Sequence, residues 1–165
     1  MEWLKIFFNV LKWTYNHTIG IRSYRLNREF ISFCKDRNLK GVESALVKGA
    51  NINFKDEHGK PALIIASSVD EETETVPKGS FDLVNLLLRY GREGRYRIKI
   101  DARDNKGNTA LIMAARNGQS RIVKLLIDNG ANVNAKNNEG YTALMRADKH
   151  GYDDTGDILR DNGAR

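Results

Sequence analysis

A block of sequence that returns at a fixed spacing constrains a chain more than any single residue, and here the spacing is 33 residues. Thr109-Ala110-Leu111 comes back as Thr142-Ala143-Leu144, Gly118 as Gly151, and Gly130-Ala131 as Gly163-Ala164, all at that offset. Upstream, Gly49-Ala50-Asn51-Ile52-Asn53 matches Gly130-Ala131-Asn132-Val133-Asn134 at 81, which is 33 plus a longer unit of 48. The longer unit carries fifteen additional residues, nine around 69–78 and six between Gly91 and Asp101. A unit this short cannot bury its own apolar face, so the spacing predicts a stack in which neighbours bury one another.

Each unit also carries the marks of two helices. Thr109 and Thr142 offer a side-chain oxygen to cap a following helix, and Pro61 stands at the equivalent place, where its fixed φ suits a first helical turn. Ala110, Ala114 and Ala115 are small enough to let helices approach closely. Ile122, Val123, Leu125 and Leu126 supply an apolar stripe at helical spacing. Gly130 falls where a helix end calls for a left-handed residue. In the last unit Thr155 and Gly156 replace Ile122 and Val123 and are flanked by Asp153, Asp154 and Asp157, as a solvent-facing end unit requires. Cys34, the lone cysteine, aligns with Ala115 and reads as a small buried residue rather than a reactive thiol.

The order of these residues, from Asp104, Gly107, Thr109 and Leu111 through Ala114-Ala115, Gly118, Leu125-Leu126 and Gly130-Ala131, resembles the ankyrin repeat. The resemblance covers roughly 140 of the 165 residues. It implies an all-α solenoid of about four stacked helix–turn–helix units with short β-hairpin loops, the repeats lying at about 26–55, 56–103, 104–136 and 137–165. They would form an ankyrin-repeat domain over 21–165, preceded by an amphipathic helix over 1–20. The family's usual Pro-Leu-His is here Ala-Leu-Ile at 110–112 and Ala-Leu-Met at 143–145, which removes a histidine that often ties adjacent loops and predicts a slightly looser stack.

Residues 2–16 stand outside the repeat. Glu2, Lys5, Asn9, Lys12 and Asn16 share one narrow arc of a helical wheel, and Trp3, Phe7, Val10 and Leu11 belong to the wide apolar side. The segment is too interrupted by polar residues to span a membrane and has no small-residue cleavage site of a signal peptide. Its large side chains, at roughly 1.5–3 kcal/mol each when fully buried, must cover something. Three surfaces could receive them: the first repeat, a membrane interface, or a partner. The net charge of +6 is concentrated at this end, nine Lys and Arg against four acids over residues 1–48, which suits an acidic partner or anionic lipid.

Nothing in the chain assembles catalytic chemistry. His17, His58 and His150 are far apart and lack metal-ligand spacing. There is no phosphate-cradling glycine motif and no recognisable nucleophile motif. Asp56 and Asp104 are read as hairpin-turn anchors rather than acids. No cofactor and no small-molecule substrate are expected, and one cysteine leans towards a reducing, cytoplasmic setting.

The resemblance implies recognition of another protein by a concave face of hairpin tips and first helices. Carried over by position, the candidate contacts are Lys55, Glu57, His58 and Lys60; then Arg103, Asn105, Lys106, Asn108, Arg116 and Asn117; then Asn138, Glu139, Tyr141, Lys149 and His150. Of these, Arg103, Lys106, Glu139 and Tyr141 are expected to hold no structural post. A second surface is the basic loop with Arg89, Arg92, Arg95, Arg97 and Lys99, interleaved with Tyr90 and Tyr96. It is read first as a solvated loop, then as a protein contact, and last as a nucleic-acid site.

Overall fold

The computed structural model describes residues 20–69, 76–92 and 97–165. Among them eight helical segments follow one another: α1 over 20–35, α2 Leu39–Val47, α3 Ala62–Ala66, α4 Ser80–Arg92, α5 Ala110–Arg116, α6 Ser120–Asp128, α7 Ala143–His150 and α8 Asp153–Asp161. Trp3, Phe7, Val10 and Leu11, the acidic run 70–74, and Arg95 with Tyr96 lie outside the described residues.

Odd and even helices form two layers. In one, α5 packs on both α3 and α7; in the other, α4 contacts α2 and α6, and α6 contacts α8. The apolar stripes meet between these layers, where Phe30, Leu46, Ile64, Leu83, Leu87, Leu111, Ile112, Leu126 and Leu159 are fully buried. In α6 the stripe is Ile122, Val123 and Leu126; Leu125, placed in it from its spacing, is only partly buried at the edge of the core. Cys34 is fully buried and has no disulfide partner.

The helices start as their caps dictate. Thr109 Oγ1 accepts from the backbone N–H of Ile112 at 3.3 Å, and Thr142 Oγ1 from that of Met145 at 3.2 Å. Pro61 sits one residue earlier than a first helical turn, at the N-cap of α3 with ψ 160°, and has no side chain with which to cap. At the far end Thr155 and Gly156 are buried rather than solvent-facing. The Thr155 hydroxyl lies 2.8 Å from that of Ser120. A Cβ on Gly156 would come within 3.1 Å of Arg160 and Asp148, whose ion pair closes the end of the stack. The polar outer side is carried by the exposed Asp153, Asp154 and Asp157.

Two features modify the expected repeat. The hairpin loops are minimal, and the described residues contain one isolated antiparallel bridge, Lys55 with Pro61, and no strand. The second insertion lengthens a helix: α4 has 13 residues where α2, α6 and α8 have 9. Arg89 and Arg92 therefore belong to its last turn, not to a loop, where cations favour the carbonyl end of the helix dipole. The repeat frame resumes at Arg97. Asn53 Nδ2 donates to the Arg97 carbonyl and its Oδ1 accepts from Lys99 N, as Asn134 does with the Gly163 carbonyl and Arg165 N.

Arg37 is the one described non-glycine residue with positive φ, 54°. That turn swings its guanidinium between the first two repeats. Nη1 donates to the Cys34 carbonyl at 2.7 Å, Nη2 to the Ile65 carbonyl at 3.0 Å, and Nε to Ser80 Oγ at 3.1 Å. One side chain thus neutralises the carbonyl ends of α1 and α3 together.

Candidate functional site

The concave side is built from three hairpin turns made by one device. Asp56 Oδ1 accepts the backbone N–H groups of His58 and Lys60 at 2.9 and 2.8 Å. Asp104 Oδ1 does the same for Lys106 and Asn108 at 2.9 and 2.8 Å. Asn137 Oδ1 does so for Glu139 and Tyr141 at 3.1 and 2.9 Å. The two aspartates are thus occupied as turn anchors, which is why this position needs a short side chain with a free oxygen.

Successive turns are tied to one another. Lys55 Nζ donates to the Arg103 carbonyl at 2.8 Å, and Arg103 Nη1 donates to the Lys136 carbonyl at 2.6 Å. Asn138 N donates to the Lys106 carbonyl at 3.1 Å, and its Nδ2 to the Asn105 carbonyl at 3.2 Å. Beneath them Asn137 Nδ2 donates to Asn108 Oδ1 at 2.9 Å, and both side chains are buried. These bonds take over the loop-tying task of the absent family histidine, so the turns are joined where a looser stack was expected. Gly107, with φ 76°, is required twice over: a Cβ there would be strained and would strike Asn138 of the next turn.

Seven of the sequence-chosen positions converge. His58, Lys60, Asn105, Lys106, Asn108, Arg116 and Asn117 line one cleft of about 570 Å³ between the second and third repeats, together with Asp104, Met113, Ser68 and Val69. Asn117 Nδ2 donates to the Ser67 carbonyl at 3.2 Å, which fixes one wall. Met113 forms an apolar floor and is 9% exposed. It lies four residues beyond the Thr109 cap, a spacing that points it to the concave side and could have marked it in the sequence.

The other positions are placed elsewhere. Lys55 and Glu57 border a neighbouring cleft with Tyr24, Arg28 and Phe54. Glu57 lies 3.3 Å from Lys35 Nζ; its own backbone N–H and then that lysine hold its carboxyl below the usual range. His150 stacks on Tyr152 at the turn into α8, with ring centroids 6.2 Å apart. Three of the residues expected to hold no structural post do hold one. Arg103 bridges two turns as above, Glu139 pairs with Arg146 at 2.9 Å, and Tyr141 lies under Arg146 at 4.0 Å and Lys149 at 5.3 Å. Lys106 keeps its side chain exposed with no ion pair among the described residues. The basic segment is partly spent on packing: Arg89 pairs with Glu43 at 3.1 Å, and Arg92 Nε donates to Asn129 Oδ1 at 2.8 Å. Arg97 and Lys99 are exposed.

Stacked helical hairpins joined by Asx-anchored turns define a repeat protein of the solenoid class. The chain belongs to the ankyrin-repeat family: the family model for ankyrin repeats in three copies matches residues 72–165. It is 30% identical over 113 residues to an ankyrin repeat protein of Acanthamoeba polyphaga mimivirus, covering 66% of this chain and 64% of that one. It is 28% identical over 116 residues to a second ankyrin repeat protein of the same virus, covering 70% and 13%. It is 28% identical over 120 residues to the nuclear factor NF-kappa-B p105 subunit of Gallus gallus, covering 73% and 11%. The chain thus spans under two thirds of each relative's length. Ankyrin repeats are generally protein–protein interaction modules. Among the described residues, no helix is long and apolar enough to cross a membrane.

Proposed function

We propose that the chain binds a partner protein through its concave face, with the cleft between the second and third repeats at the centre of the contact. The observation that carries this is convergence. Seven positions chosen from sequence as partner contacts surround one cleft, and its turns are locked together before any partner arrives. Preorganised turns spare the ordering cost that weakens binding by flexible loops. The single buried cysteine suits a chain that works in a reducing, cytoplasmic setting. The Arg89–Lys99 stretch is the weaker candidate surface, since Arg89 and Arg92 already hold Glu43 and Asn129.

The test is affinity capture with the full chain as bait, run beside two variants. Lys106→Ala with Arg116→Ala alters the cleft, and Lys124→Ala with Lys40→Ala alters exposed positions on the second-helix layer. Partner retention should fall at least tenfold for the first variant and stay at the wild-type level for the second. Equal retention by all three baits overturns the concave-face reading, as does retention of nothing by the wild type.

A further inference from the structure

The charges around the cleft say what kind of segment fits it. Lys106 on the third repeat's turn and Arg116 at the end of α5 are both exposed, and neither side chain has an ion pair or hydrogen bond among the described residues. Lys60 and His58 line the same cleft from the second repeat. The one carboxylate among the described lining residues is Asp104, and both its oxygens are committed: Oδ1 to two backbone N–H groups, Oδ2 to Asn108 Nδ2 at 3.1 Å. Lys106 and Arg116 therefore present charge that no acid among the described residues pairs with. Between them lies Met113, a flexible apolar floor.

We infer that this cleft takes an acidic peptide segment of the partner, in which carboxylates flank one apolar side chain. Carboxylates pair with Arg116, whose planar guanidinium can hold one bidentately, and with the Lys106 ammonium. The apolar side chain between them covers Met113. Nucleic acid shares the negative charge but suits the cleft less well. Among the described residues no Phe, Tyr or Trp lines it as a stacking platform, and its cations are grouped around one pocket rather than strung along a phosphate track. Steering by this field also makes association faster at low salt.

This inference rests on the concave-face reading, and the experiment separates the two. Fluorescence anisotropy is measured with the full chain and four labelled probes: a short peptide of Glu and Asp around one central Leu, its Gln and Asn counterpart, a Lys peptide around the same Leu, and a thymidine oligonucleotide matched in charge to the acidic peptide. At about 0.15 M salt the acidic peptide should bind at least tenfold tighter than its amide counterpart and tighter than the oligonucleotide. Lys106→Glu with Arg116→Glu should cost at least tenfold in affinity for the acidic peptide and create binding to a Lys peptide around the same Leu. Lys106→Gln with Arg116→Gln gives the same loss without reversing charge, so a fold disturbed by the reversal does not blur the result. Preference for the oligonucleotide overturns the inference in favour of nucleic acid. If the amide peptide binds as well as the acidic one and the variants lose both, acidity falls while the cleft stands as the binding face. If the variants bind every probe as wild type does, both readings fall.

Discussion

At the scale of single residues, the buried thiol ties stability to alkaline pH. Burial pushes Cys34 from its ordinary 9.0 up to about 12, against a smaller opposite pull from Arg37. Below pH 9 the thiol is neutral in both folded and unfolded chains and adds no pH dependence. Between 9 and 12 the unfolded chain gives up the proton and the folded one keeps it, so stability falls as pH rises. The slope from this group reaches about 1.4 kcal/mol per pH unit. Urea midpoints across that window should drop more steeply for the wild type than for Cys34→Ala, and parallel curves would show that the folded thiol ionises normally. Cys34 was readable in advance because its place in the repeat is an alanine place. Arg37 was not: no periodicity marks a side chain that turns on a left-handed backbone to collect carbonyls from two repeats. Arg37→Ala should lose about 1.5–3 kcal/mol of stability, the range for hydrogen bonds to a charged group. Arg37→Gly should lose less, because glycine adopts positive φ without strain. Chemical denaturation of both variants checks that order.

At the scale of elements, helix starts and the buried stripe were legible because caps and 3.6-residue spacing act locally. The depth of each stripe residue was not, since it depends on which neighbour closes over it. Leu125 and Leu126 differ little as sequence, yet Leu126 is fully buried while Leu125 stays at the core edge. Leu126→Ala should therefore cost about 2–5 kcal/mol, as in other large-to-small core changes, and Leu125→Ala clearly less. Equal losses in urea denaturation would place both on the same face and contradict the register. The insertions illustrate the same limit. Their lengths followed from aligned blocks, but that the second one extends α4 by a turn of arginine-bearing helix depended on its contacts with α2 and α6. The cleft was partly legible for a related reason: the family frame places its turns, whereas Met113 becomes a floor only when two repeats stand side by side.

At the scale of the whole molecule, the hairpin turns act as a tie-bar along one edge of the stack. Lys55, Arg103 and the Asn108–Asn137 pair each reach from one repeat to the next, so removing them loosens interfaces rather than isolated loops. Lys55, Arg103 and Asn108 stand at hairpin positions, which made them resemble contact residues, and Arg103 one with nothing structural to do. In a repeat stack, stability is close to a sum of unit and interface contributions, so a weakened tie should show in the unfolding of the entire array. Arg103→Ala removes a charged donor to the Lys136 carbonyl and should cost about 1 kcal/mol, near the value of a typical hydrogen bond. Asn137→Ala removes the buried bond to Asn108 and also the anchor for two turn N–H groups, so it should cost more, about 1–3 kcal/mol. Lys106→Ala, by contrast, removes a side chain that holds no bond among the described residues and should stay within about 0.5 kcal/mol. Guanidinium denaturation of the three variants at neutral pH gives the ranking directly. If Lys106→Ala destabilises as much as Asn137→Ala, the turns are not joined as described, and Lys106 carries structure rather than standing free for a partner.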